Sequence, residues 1–321
     1  MLKCLRILFL FVLILLVNQS YAQVSLPGGN LGYTSFMDGF GFPGIVSDQY
    51  LQIYRADDFT GPAETKRDGI NKMHNILLLE QIKYIAENPK IFGAWPGVEV
   101  TVPVVLDLKV QNERFEQGET DIGDVVAGVM LQWPQMKLFN KIPFWQRTEL
   151  MVKFPTGHYD SDNYVNAGNN IFSINPYYAF TAFLTKKIEF SMRLFYVWNS
   201  KNDDPADIPS PEWNPESGTP PEFADDIQPG QAVWANYATS YGVTDNLRLG
   251  INGYYLEQIS NHQIDGHDIP NSRERLLAVG PGMMYIAKSK KNLYWFNVYN
   301  EVLSKNRAKG QMFLLRWLHV F

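Results

Sequence analysis

Hydrophobic and polar side chains alternate with a period of two along most of this chain. In residues 97–110, one face reads Val98, Val100, Val102, Val104, Leu106, Leu108 and Val110. The opposite face of the same segment reads Glu99, Thr101, Pro103, Val105, Asp107 and Lys109. Because successive side chains of a strand point to opposite faces, the pattern predicts strands that separate an apolar surface from a mixed, partly charged one.

Twelve such segments follow one another, separated by turn-rich connectors and without a change that would mark a second domain. They are 48–58, 74–86, 97–110, 121–133, 143–154, 169–184, 187–199, 231–243, 246–259, 273–288, 292–303 and 309–321. We therefore predict an all-β fold, a single antiparallel β-barrel of about twelve strands over residues 48–321. The pattern is typical of a transmembrane barrel of the bacterial outer-membrane type, and a soluble sandwich or barrel is the alternative.

The connectors distinguish these two alternatives. In an outer-membrane barrel with both termini in the periplasm, even-to-odd connections are short, and odd-to-even connections are external and long. Tight turns are predicted at 185–187, 243–246 and 289–291, and long connectors at 156–168, 200–230 and 260–272. The turns near 87–96 and 134–142 are longer than this rule prefers. Taken together, the connectors favour the transmembrane barrel, with 200–230 as its longest external loop.

The first residues are typical of a signal peptide. Two basic residues precede an apolar stretch at 7–17, and small residues follow it up to Ala22. The stretch is too short for a transmembrane helix, which needs about 20 residues. We predict export and cleavage after Ala22. Cys4 is the only cysteine and lies in the removed part, so the mature chain has no disulfide and no lipid anchor on cysteine.

Residues 23–47 form a lead segment ahead of the first predicted strand. Its central part, 25–44, intersperses glycines with four aromatic residues. The segment either folds into the lumen as a small hatch or remains a periplasmic tail. Glycine-rich chains are flexible by default, so the composition favours the tail.

Composition narrows the class of function. No later segment holds 18 consecutive apolar residues, which excludes a helical membrane protein. Without Lys3 and Arg6, the 28 basic side chains become 26, against 33 acidic ones, and there is no basic run. Nucleic acid is therefore not an expected partner. We also expect no metal and no cofactor, because no spacing of ligand-type residues matches a recognised site.

Aromatic residues support a position in a membrane. Amphipathic rings sit at the headgroup level, where strands end. Near predicted strand ends lie Trp133, Trp145, Trp198, Trp234, Tyr241, Tyr285 and Tyr294. The last strand ends on Phe321, and a terminal aromatic residue resembles the signal by which outer-membrane barrels are recognised for assembly. We therefore expect outer-membrane lipid, lipopolysaccharide and the barrel-assembly machinery as partners.

Several short motifs resemble those of a known family. They are Phe42-Pro43-Gly44 before the first strand, Asn175-Pro176-Tyr177 in the sixth, Gly280-Pro281-Gly282 with Tyr285 in the tenth, and the terminal Phe321. With them, the chain resembles the outer-membrane family named after the MetA pathway of phenol degradation, which includes SphA-like transporters. The resemblance implies a barrel that carries hydrophobic or aromatic compounds inward, and it brings no catalytic residues.

Two prolines lie inside predicted strands, Pro176 in the sixth and Pro281 in the tenth. Proline cannot donate a hydrogen bond to a sheet, so it is rare in central strands. We expect each proline to mark a bulge or a kink that narrows the lumen.

The polar face of the predicted strands supplies candidate lumen residues, with charges of both signs and several aromatic rings. The candidates are Glu99, Asp107, Lys109, Asp124, Arg147, Glu149, Lys153, Tyr177, Glu189, Arg193, Phe195, Trp234, Arg248, Trp295, Tyr299, Glu301 and Arg316. Such a lining either sets the selectivity of a solute path, with rings as stacking surfaces, or cross-links the wall of a closed barrel. A register slip of one residue would turn these side chains to lipid.

The function that this pattern favours is passive uptake of small, hydrophobic or aromatic compounds through an outer-membrane channel. The alternative is a structural or surface-binding barrel that acts through its external loops. Loop 200–230 carries eight acidic residues, but their spacing matches no recognised cation site, and a solvated loop is the simpler interpretation.

A third class is an outer-membrane lipid hydrolase, whose nucleophilic serine must lie within hydrogen-bond reach of a histidine. A short His-x-Ser motif would indicate it, but no histidine of this chain has a serine two residues later. The histidines are His74, His158, His262, His267 and His319. We therefore predict no enzyme activity.

Overall fold

The computed structural model describes Leu26 and residues 29–69, 71–112, 115–212 and 222–321. The predicted signal peptide and its cleavage site lie outside the described residues, as does Glu216 of the acidic loop. The described part is all-β. It contains no helix with the length and hydropathy to cross a membrane.

Twelve strands of seven or more residues, β1 to β12 in chain order, form the main sheet. They are β1 Gly44–Phe59, β2 Lys72–Ile85, β3 Trp95–Gln111, β4 Val126–Gln132, β5 Ile142–Lys153, β6 Ser173–Phe183, β7 Ile188–Asn199, β8 Ala232–Gly242, β9 Leu247–Gln258, β10 Arg275–Ile286, β11 Asn292–Lys305 and β12 Ala308–Val320. Each corresponds to one predicted segment. The ends differ by a few residues, most at β4, which begins at Val126 because 121–125 makes only an isolated bridge to β3.

The strands form a closed ring. Each pairs antiparallel with the next, and β12 pairs with β1, where Val320 lies opposite Val46. The prediction of a closed, twelve-stranded antiparallel barrel is thus confirmed. Five further short segments either extend the barrel wall at a rim or form ladders among the loops: Glu116–Glu119, Met136–Leu138, Ile227–Gln228, Gln263–Ile264 and His267–Asp268.

Alternation along the strands gives the barrel an apolar outer wall and a polar interior. In β7, Leu194 and Trp198 are exposed on the outer wall, whereas Glu189 and Arg193 are buried inside. A soluble barrel would bury the apolar face instead. The observed distribution is the one that a lipid-facing barrel requires, because lipid is the solvent of its outer wall.

The two rims of the barrel differ in the length of their connections. The long connections 60–71, 112–125, 154–172, 200–231 and 259–274 share one rim, which we call external. The β11–β12 connection at this rim is an exception, because it consists only of Asn306 and Arg307. At the other, periplasmic rim, 184–187, 243–246 and 287–291 are short, as predicted.

The two periplasmic turns that the sequence indicates to be long are also long in the structure. They span 86–94 and 133–141. The second contains Met136–Leu138, which pairs with the first residues of β5 and so extends the barrel wall at this rim.

Neither proline narrows the lumen, so that prediction was wrong. Pro176 and Pro281 are exposed on the outer wall. Around Pro176, the β6–β7 register is the same on both sides of an unpaired step. The bulge of β10–β11 lies at Leu277/Ala278, a few residues before Pro281. Each proline is accommodated by a local gap in one ladder, between β6 and β7 for Pro176 and between β10 and β11 for Pro281.

The lead segment lies inside the barrel. Phe36, Thr34, Ser35 and Asp38 are buried to 95% or more. The preference for a periplasmic tail was therefore wrong, and the hatch alternative is the one observed. Glycine lowers the tendency of an isolated segment to order, but the wall supplies enough hydrogen bonds and apolar contacts to hold this one.

Candidate functional site

The lead segment runs the length of the lumen. Leu26 lies at the external rim, where its backbone N–H donates to Glu274 at 3.2 Å. Gly32 is held at mid-height, since its N–H donates to Asn236 at 2.9 Å. Gly39 lies toward the periplasmic rim, with its N–H donating to Thr181 at 2.9 Å. The segment therefore descends from the external rim and reaches the start of β1.

Two glycines make this path possible. Gly32 has a φ of +71°, a conformation that other residues rarely adopt. Gly39 lies against the backbone of β6, and a Cβ at this position would be 2.6 Å from main-chain atoms of Phe180 and Thr181. No side chain fits there without displacement of one backbone or the other.

Phe36 is the apolar anchor of the lead segment. Its ring is fully buried among Ala238, Met284 and Trp295 of the wall. The indole N–H of Trp295 also donates to the carbonyl oxygen of Phe36 at 3.1 Å. Burial of a whole phenylalanine side chain stabilises by about 1.5–3 kcal/mol, so this contact is a main source of docking energy.

Asp38 is the polar anchor. Its carboxylate accepts two hydrogen bonds from the guanidinium of Arg193, one of them at 2.8 Å, and lies 3.7 Å from a guanidinium nitrogen of Arg147. The carbonyl oxygen of Asp38 accepts a further hydrogen bond from Arg147 at 3.2 Å. The guanidinium of Arg193 stacks on the Tyr177 ring, 4.2 Å from its centroid. The negative charge of one lead-segment carboxylate thus partly neutralises the positive charges of two arginines of the wall.

A second charge cluster belongs to the wall itself. Arg316 donates two hydrogen bonds to Asp48, at 2.8 and 2.6 Å, and Lys83 donates to the same carboxylate at 3.1 Å. Lys83 also lies 3.9 Å from Glu99. The cluster links β12, β1, β2 and β3 across the seam at which the barrel closes. Its members are buried, so their mutual pairing is what offsets the loss of hydration.

Above the anchors, the barrel encloses a cavity of about 350 Å³ in its external half, which we call the external cavity. Asn30 and Leu31 of the lead segment form one side of it, and Tyr33 lies next to them. The wall contributes aromatic rings, among them Tyr50, Tyr54, Trp234 and Tyr254. The ring of Trp234 is stacked on Phe195, with centroids 4.5 Å apart and planes at 8°.

Three residues that line this cavity carry polar atoms without partners. The indole N–H of Trp234, the amide oxygen of Asn75 and the amide oxygen of Gln81 are buried and have no hydrogen-bond partner among the described residues. All three residues line the external cavity. A buried polar group without a partner costs about 1–3 kcal/mol. A small movement of these side chains would bring the atoms to the cavity surface, where a molecule that accepts from Trp234 or donates to either amide would recover part of that cost.

The external end of the lead segment is held by a buried ion pair outside the strands. Arg307 donates to Glu274 at 3.0 Å and also to the carbonyl oxygen of Leu26. Burial raises the pKa of Glu274 to about 7, although Arg307 opposes the shift. The imidazole of His262 lies 3.9 Å from Glu274, and burial lowers the pKa of His262 to about 4. Burial therefore favours the neutral form of each group, whereas Arg307 favours the carboxylate form of Glu274.

All but three of the candidate lumen residues are buried in the barrel interior. The first exception, Lys153, is partly buried and lines the external cavity. Its ammonium group donates a hydrogen bond to Asp124 at 2.9 Å. Within the interior, Glu149 accepts from Tyr177, whereas Glu189 accepts from Ser240 at 2.6 Å. Contact of these residues with a solute stays a prediction.

Asp107 and Lys109 are the other two exceptions, and their placement in the lumen was wrong. A β-bulge at Leu106 shifts the register of β3 against β2. Beyond it the alternation is reversed, so that Leu108 lines the external cavity. Asp107 and Lys109 instead form an ion pair of 3.4 Å, with His74 3.5 Å from the same carboxylate. The side chain of Lys109 is 64% exposed.

Two of the predicted interface tryptophans also point inward. Trp145 packs on Phe40 of the lead segment, with centroids 5.0 Å apart, and Trp234 is 3% exposed inside the external cavity. The other rings predicted for strand ends are exposed or half-exposed. On the outer wall lie Trp198, Tyr241, Tyr285 and Tyr294. Ring size and position near a strand end do not by themselves decide which face a residue occupies.

The histidines make no serine pair. Their side chains contact Asp107, Asp121, Glu274, Glu212 and Asn292, and within the described residues no imidazole is hydrogen-bonded to a serine hydroxyl. This geometry does not supply the activated nucleophile that a hydrolase needs.

Sequence reasoning missed Asp38, Asp48, Lys83 and Asn236. Asp38 lies in a glycine-rich stretch and Asn236 follows a largely apolar one, which is the available signal for these two. Asp48 and Lys83 lie on the inward face of predicted strands and follow from the same alternation. Asp38 has no such periodicity around it, so only the position of the lead segment identifies its partners.

Comparisons with known proteins agree with this architecture. A family model described as putative MetA-pathway of phenol degradation matches residues 57–317. The crystal structure of an outer membrane channel from Pseudomonas putida F1 matches with a TM-score of 0.74 and 16% identity, over 90% of this chain and 100% of that chain. This likeness shows the fold.

Other solved structures are more distant. A toluene transporter from Pseudomonas putida matches with a TM-score of 0.45 and 9% identity, over 94% of this chain and 98% of that chain. The transport unit of an autotransporter from Escherichia coli matches with a TM-score of 0.48 and 10% identity, over 86% of this chain and 90% of that chain. The search of curated proteins gives no match.

Proposed function

Because the chain belongs to the family described as putative MetA-pathway of phenol degradation, we propose that it is an outer-membrane channel for the passive uptake of small, hydrophobic or aromatic compounds. The observation that carries this proposal is the external cavity, which is enclosed by the barrel, lined by aromatic rings and bounded by the lead segment. A purely hydrophilic pore has no use for such a lining, whereas flat apolar solutes stack on it.

The external cavity also suits solutes that carry a polar group on the ring. An aromatic hydroxyl or carbonyl oxygen can accept from the Trp234 indole N–H, and a hydroxyl can donate to Asn75 or Gln81. Rings supply most of the contact area, and these few polar atoms fix the orientation. Phenols and related compounds combine the two requirements.

Passage to the periplasm requires movement of the lead segment. Below the external cavity, Phe36 and Asp38 occupy the lumen between opposite walls. The Asp38–Arg193 contact and the Phe36 pocket must open for a solute to descend. The lead segment therefore acts as a gate, and the channel needs no energy source of its own, because a solute moves down its gradient when the gate opens.

The test is solute flux through purified barrel in liposomes. We expect phenol and benzyl alcohol to enter faster than a sugar of similar mass, and we expect flux to increase when the lead segment is removed. Folded protein that passes no solute under any condition, with or without the lead segment, would refute the proposal. A barrel that acts only through its loops would behave in this way.

The location of the chain completes the proposal. The apolar outer wall supports residence in outer-membrane lipid, with lipopolysaccharide around the external rim. Cleavage after Ala22 would leave Gln23 as the first residue, which the mass of the purified protein would test. Phe321 follows β12 at the periplasmic rim, 69% exposed. We propose it as the contact for the assembly machinery, so Phe321→Ser should leave unassembled protein in the periplasm.

A further inference from the structure

An acidic side chain lies on the lipid-facing wall, where none is expected. Glu80 of β2 shares its face with Ile82, which is 62% exposed, and Tyr84, which is 51% exposed. Its neighbour Leu79 faces the other way and lines the external cavity. Glu80 thus belongs to the outer wall and not to the lumen.

The position of Glu80 along β2 puts it within the hydrocarbon layer. Tyr84, a ring at the periplasmic rim, is four residues away, or about 13 Å along a strand that rises about 3.3 Å per residue. His74, near the external end, is six residues away on the same face. The apolar band of an outer-membrane barrel is about 25 Å tall. An ionisable side chain at this depth is costly and calls for a partner.

Within the chain, Gln49 is only a partial partner. Its side-chain amide donates one hydrogen bond to Glu80 at 3.0 Å, across the β1–β2 pair. No other hydrogen bond from the described residues reaches either side chain. One amide hydrogen and the amide oxygen of Gln49, together with the second carboxylate oxygen of Glu80, remain for an external group.

The wall on either side of this pair has a complementary shape. Toward β3, the side chains of Ile82, Val98 and Val100 protrude, with 48–62% of their surface exposed. Toward β11 and β12, the wall has an apolar groove of about 380 Å³. The groove is bordered by Leu51, Leu78, Phe296, Leu315 and Trp317. A ridge and a groove thus flank one polar pair.

We propose that this face binds a second copy of the chain in the membrane, about a two-fold axis that passes beside Glu80 and Gln49 along the membrane normal. Such an axis brings the ridge of each copy opposite the groove of the other, and it brings the two Gln49–Glu80 pairs together. The free amide hydrogen of each Gln49 then donates to the Glu80 of the other copy, so the contact is self-complementary.

A second copy fits these observations better than a lipid. An acyl chain would fill the groove but would offer nothing to the free amide hydrogen or to the carboxylate. The face carries both a donor and an acceptor, and both a ridge and a groove. The ridge, the groove and the amide donor each find a counterpart on an identical face, which is the requirement for an isologous contact. The two Glu80 carboxylates repel each other, so the contact requires the two Gln49 amides to lie between them.

Single-cysteine cross-linking tests the proposal, because Cys4 is the only natural cysteine and lies in the predicted signal peptide. Leu78→Cys places a thiol beside Glu80. Leu194→Cys, on β7 at the opposite side of the ring, is the matched control. With a short bis-maleimide in liposomes at low protein density, we expect a covalent dimer from Leu78→Cys and none above background from Leu194→Cys.

Two substitutions in the Leu78→Cys background test the polar contact itself. Glu80→Leu removes it and should lower the dimer yield several-fold, whereas Glu80→Gln keeps hydrogen-bonding capacity and should retain most of it. Leucine suits a lipid-facing wall, so Glu80→Leu should leave the barrel folded, which its heat-dependent gel mobility checks. Equal yields from the two thiol positions, or an unchanged yield in Glu80→Leu, would overturn the proposal. So would a monomer that copurifies with a lipid in the groove.

Discussion

The two halves of the barrel interior use the same alternating strands in different ways. In the periplasmic half, the lead segment fills the lumen, and Phe36 and Asp38 are tied to several strands at once. In the external half, the same segment passes along one side, and a Cβ added at Gly29 would meet no atom within 4 Å. There the wall keeps a cavity and leaves polar atoms of Trp234, Asn75 and Gln81 without partners among the described residues.

This difference between the two halves suggests two roles, closure of the lumen for the periplasmic half and recognition of the solute for the external half. In the proposed channel, paired charges and a buried ring close the periplasmic half, so this half should set how often the channel opens. In the proposed channel, the external half has the space and the aromatic rings to hold a solute, so this half should set which solute is held. Variants in the first half should therefore change gating, and variants in the second should change selectivity.

Removal of the lead segment should have the largest effect. Deletion of residues 29–41 takes away both anchors, so the lumen should stay open and single-channel conductance should rise several-fold. Planar-bilayer recording measures it. Deletion of residues 205–226 of the external connection 200–231 is the control and should leave conductance unchanged. Equal conductance in the two deletions would contradict the assignment of closure to the lead segment.

Asp38→Asn should come next. It leaves Arg193 and Arg147 buried without their carboxylate, and loss of one partner of a buried ion pair costs about 3–5 kcal/mol. Part of that cost is relieved when the gate opens, so the open fraction should rise by about a hundredfold, which corresponds to about 2.8 kcal/mol at 1.4 kcal/mol per factor of ten. Asp57→Asn, at an exposed position, should show wild-type gating.

Gly39→Ala should have a smaller effect of the same kind. The added methyl group meets the backbone of Phe180 and Thr181, and overpacking of this kind costs about 1–3 kcal/mol. The open fraction in bilayers should increase, by less than in Asp38→Asn. Gly29→Ala adds the same atom to the same segment in open space. If both variants gate alike, steric contact at Gly39 does not hold the gate.

Trp234→Phe should alter recognition and leave gating alone. It keeps a ring against Phe195 but removes the unpartnered indole N–H. A neutral hydrogen bond contributes about 0.5–1.5 kcal/mol, so binding of phenol should weaken by about threefold to tenfold, while that of toluene should not weaken. Isothermal titration in detergent would measure it. Trp198→Phe, on the outer wall, should bind both solutes as the wild type does.

The smallest effect should be a dependence on pH of how tightly the lead segment docks at the external rim, through Glu274. Burial raises the pKa of Glu274 to about 7, although the hydrogen bond from Leu26 and the charge of Arg307 oppose the shift, and undocking that hydrates the carboxyl should return its pKa toward 4.5. The docked state therefore binds the proton more tightly, so docking of the lead segment should strengthen as pH falls from about 7 to 4.5 and weaken as pH rises through 7. A few-fold change in protease cleavage near Leu26 should report this. Glu274→Gln, which is neutral throughout, should remove the pH dependence.

Most of the fold was predictable from the sequence because the barrel obeys one local rule. Alternation identified all twelve strands and placed residues such as Glu189, Arg193 and Arg316 inside. The alternation predicts the wrong face for residues that follow a β-bulge, because the extra residue reverses the order of inward and outward side chains. The bulge at Leu106 adds one residue to one strand only, and the sequence of β3 shows no glycine or proline at that point to announce it.

The candidate site was less predictable, because it depends on contacts between distant parts of the chain. The partners of Asp38 are 109 and 155 residues away. The composition of the lead segment indicates flexibility, and nothing local shows that Asn236, Thr181 and Trp295 would satisfy its backbone groups. Only the assembled wall presents those groups together.

The course of the lead segment also constrains how the molecule is assembled. Leu26 is at the external rim and β1 starts at the periplasmic rim. The lead segment therefore passes down the inside of the barrel before the chain turns into the wall at β1. The ring closes at the β1–β12 seam, between the first and the last strand to leave the ribosome. A segment that is laid against the half-built wall before this seam forms needs no threading. A segment that arrives later must be threaded through a closed barrel. The lead segment should therefore dock before the β1–β12 seam closes.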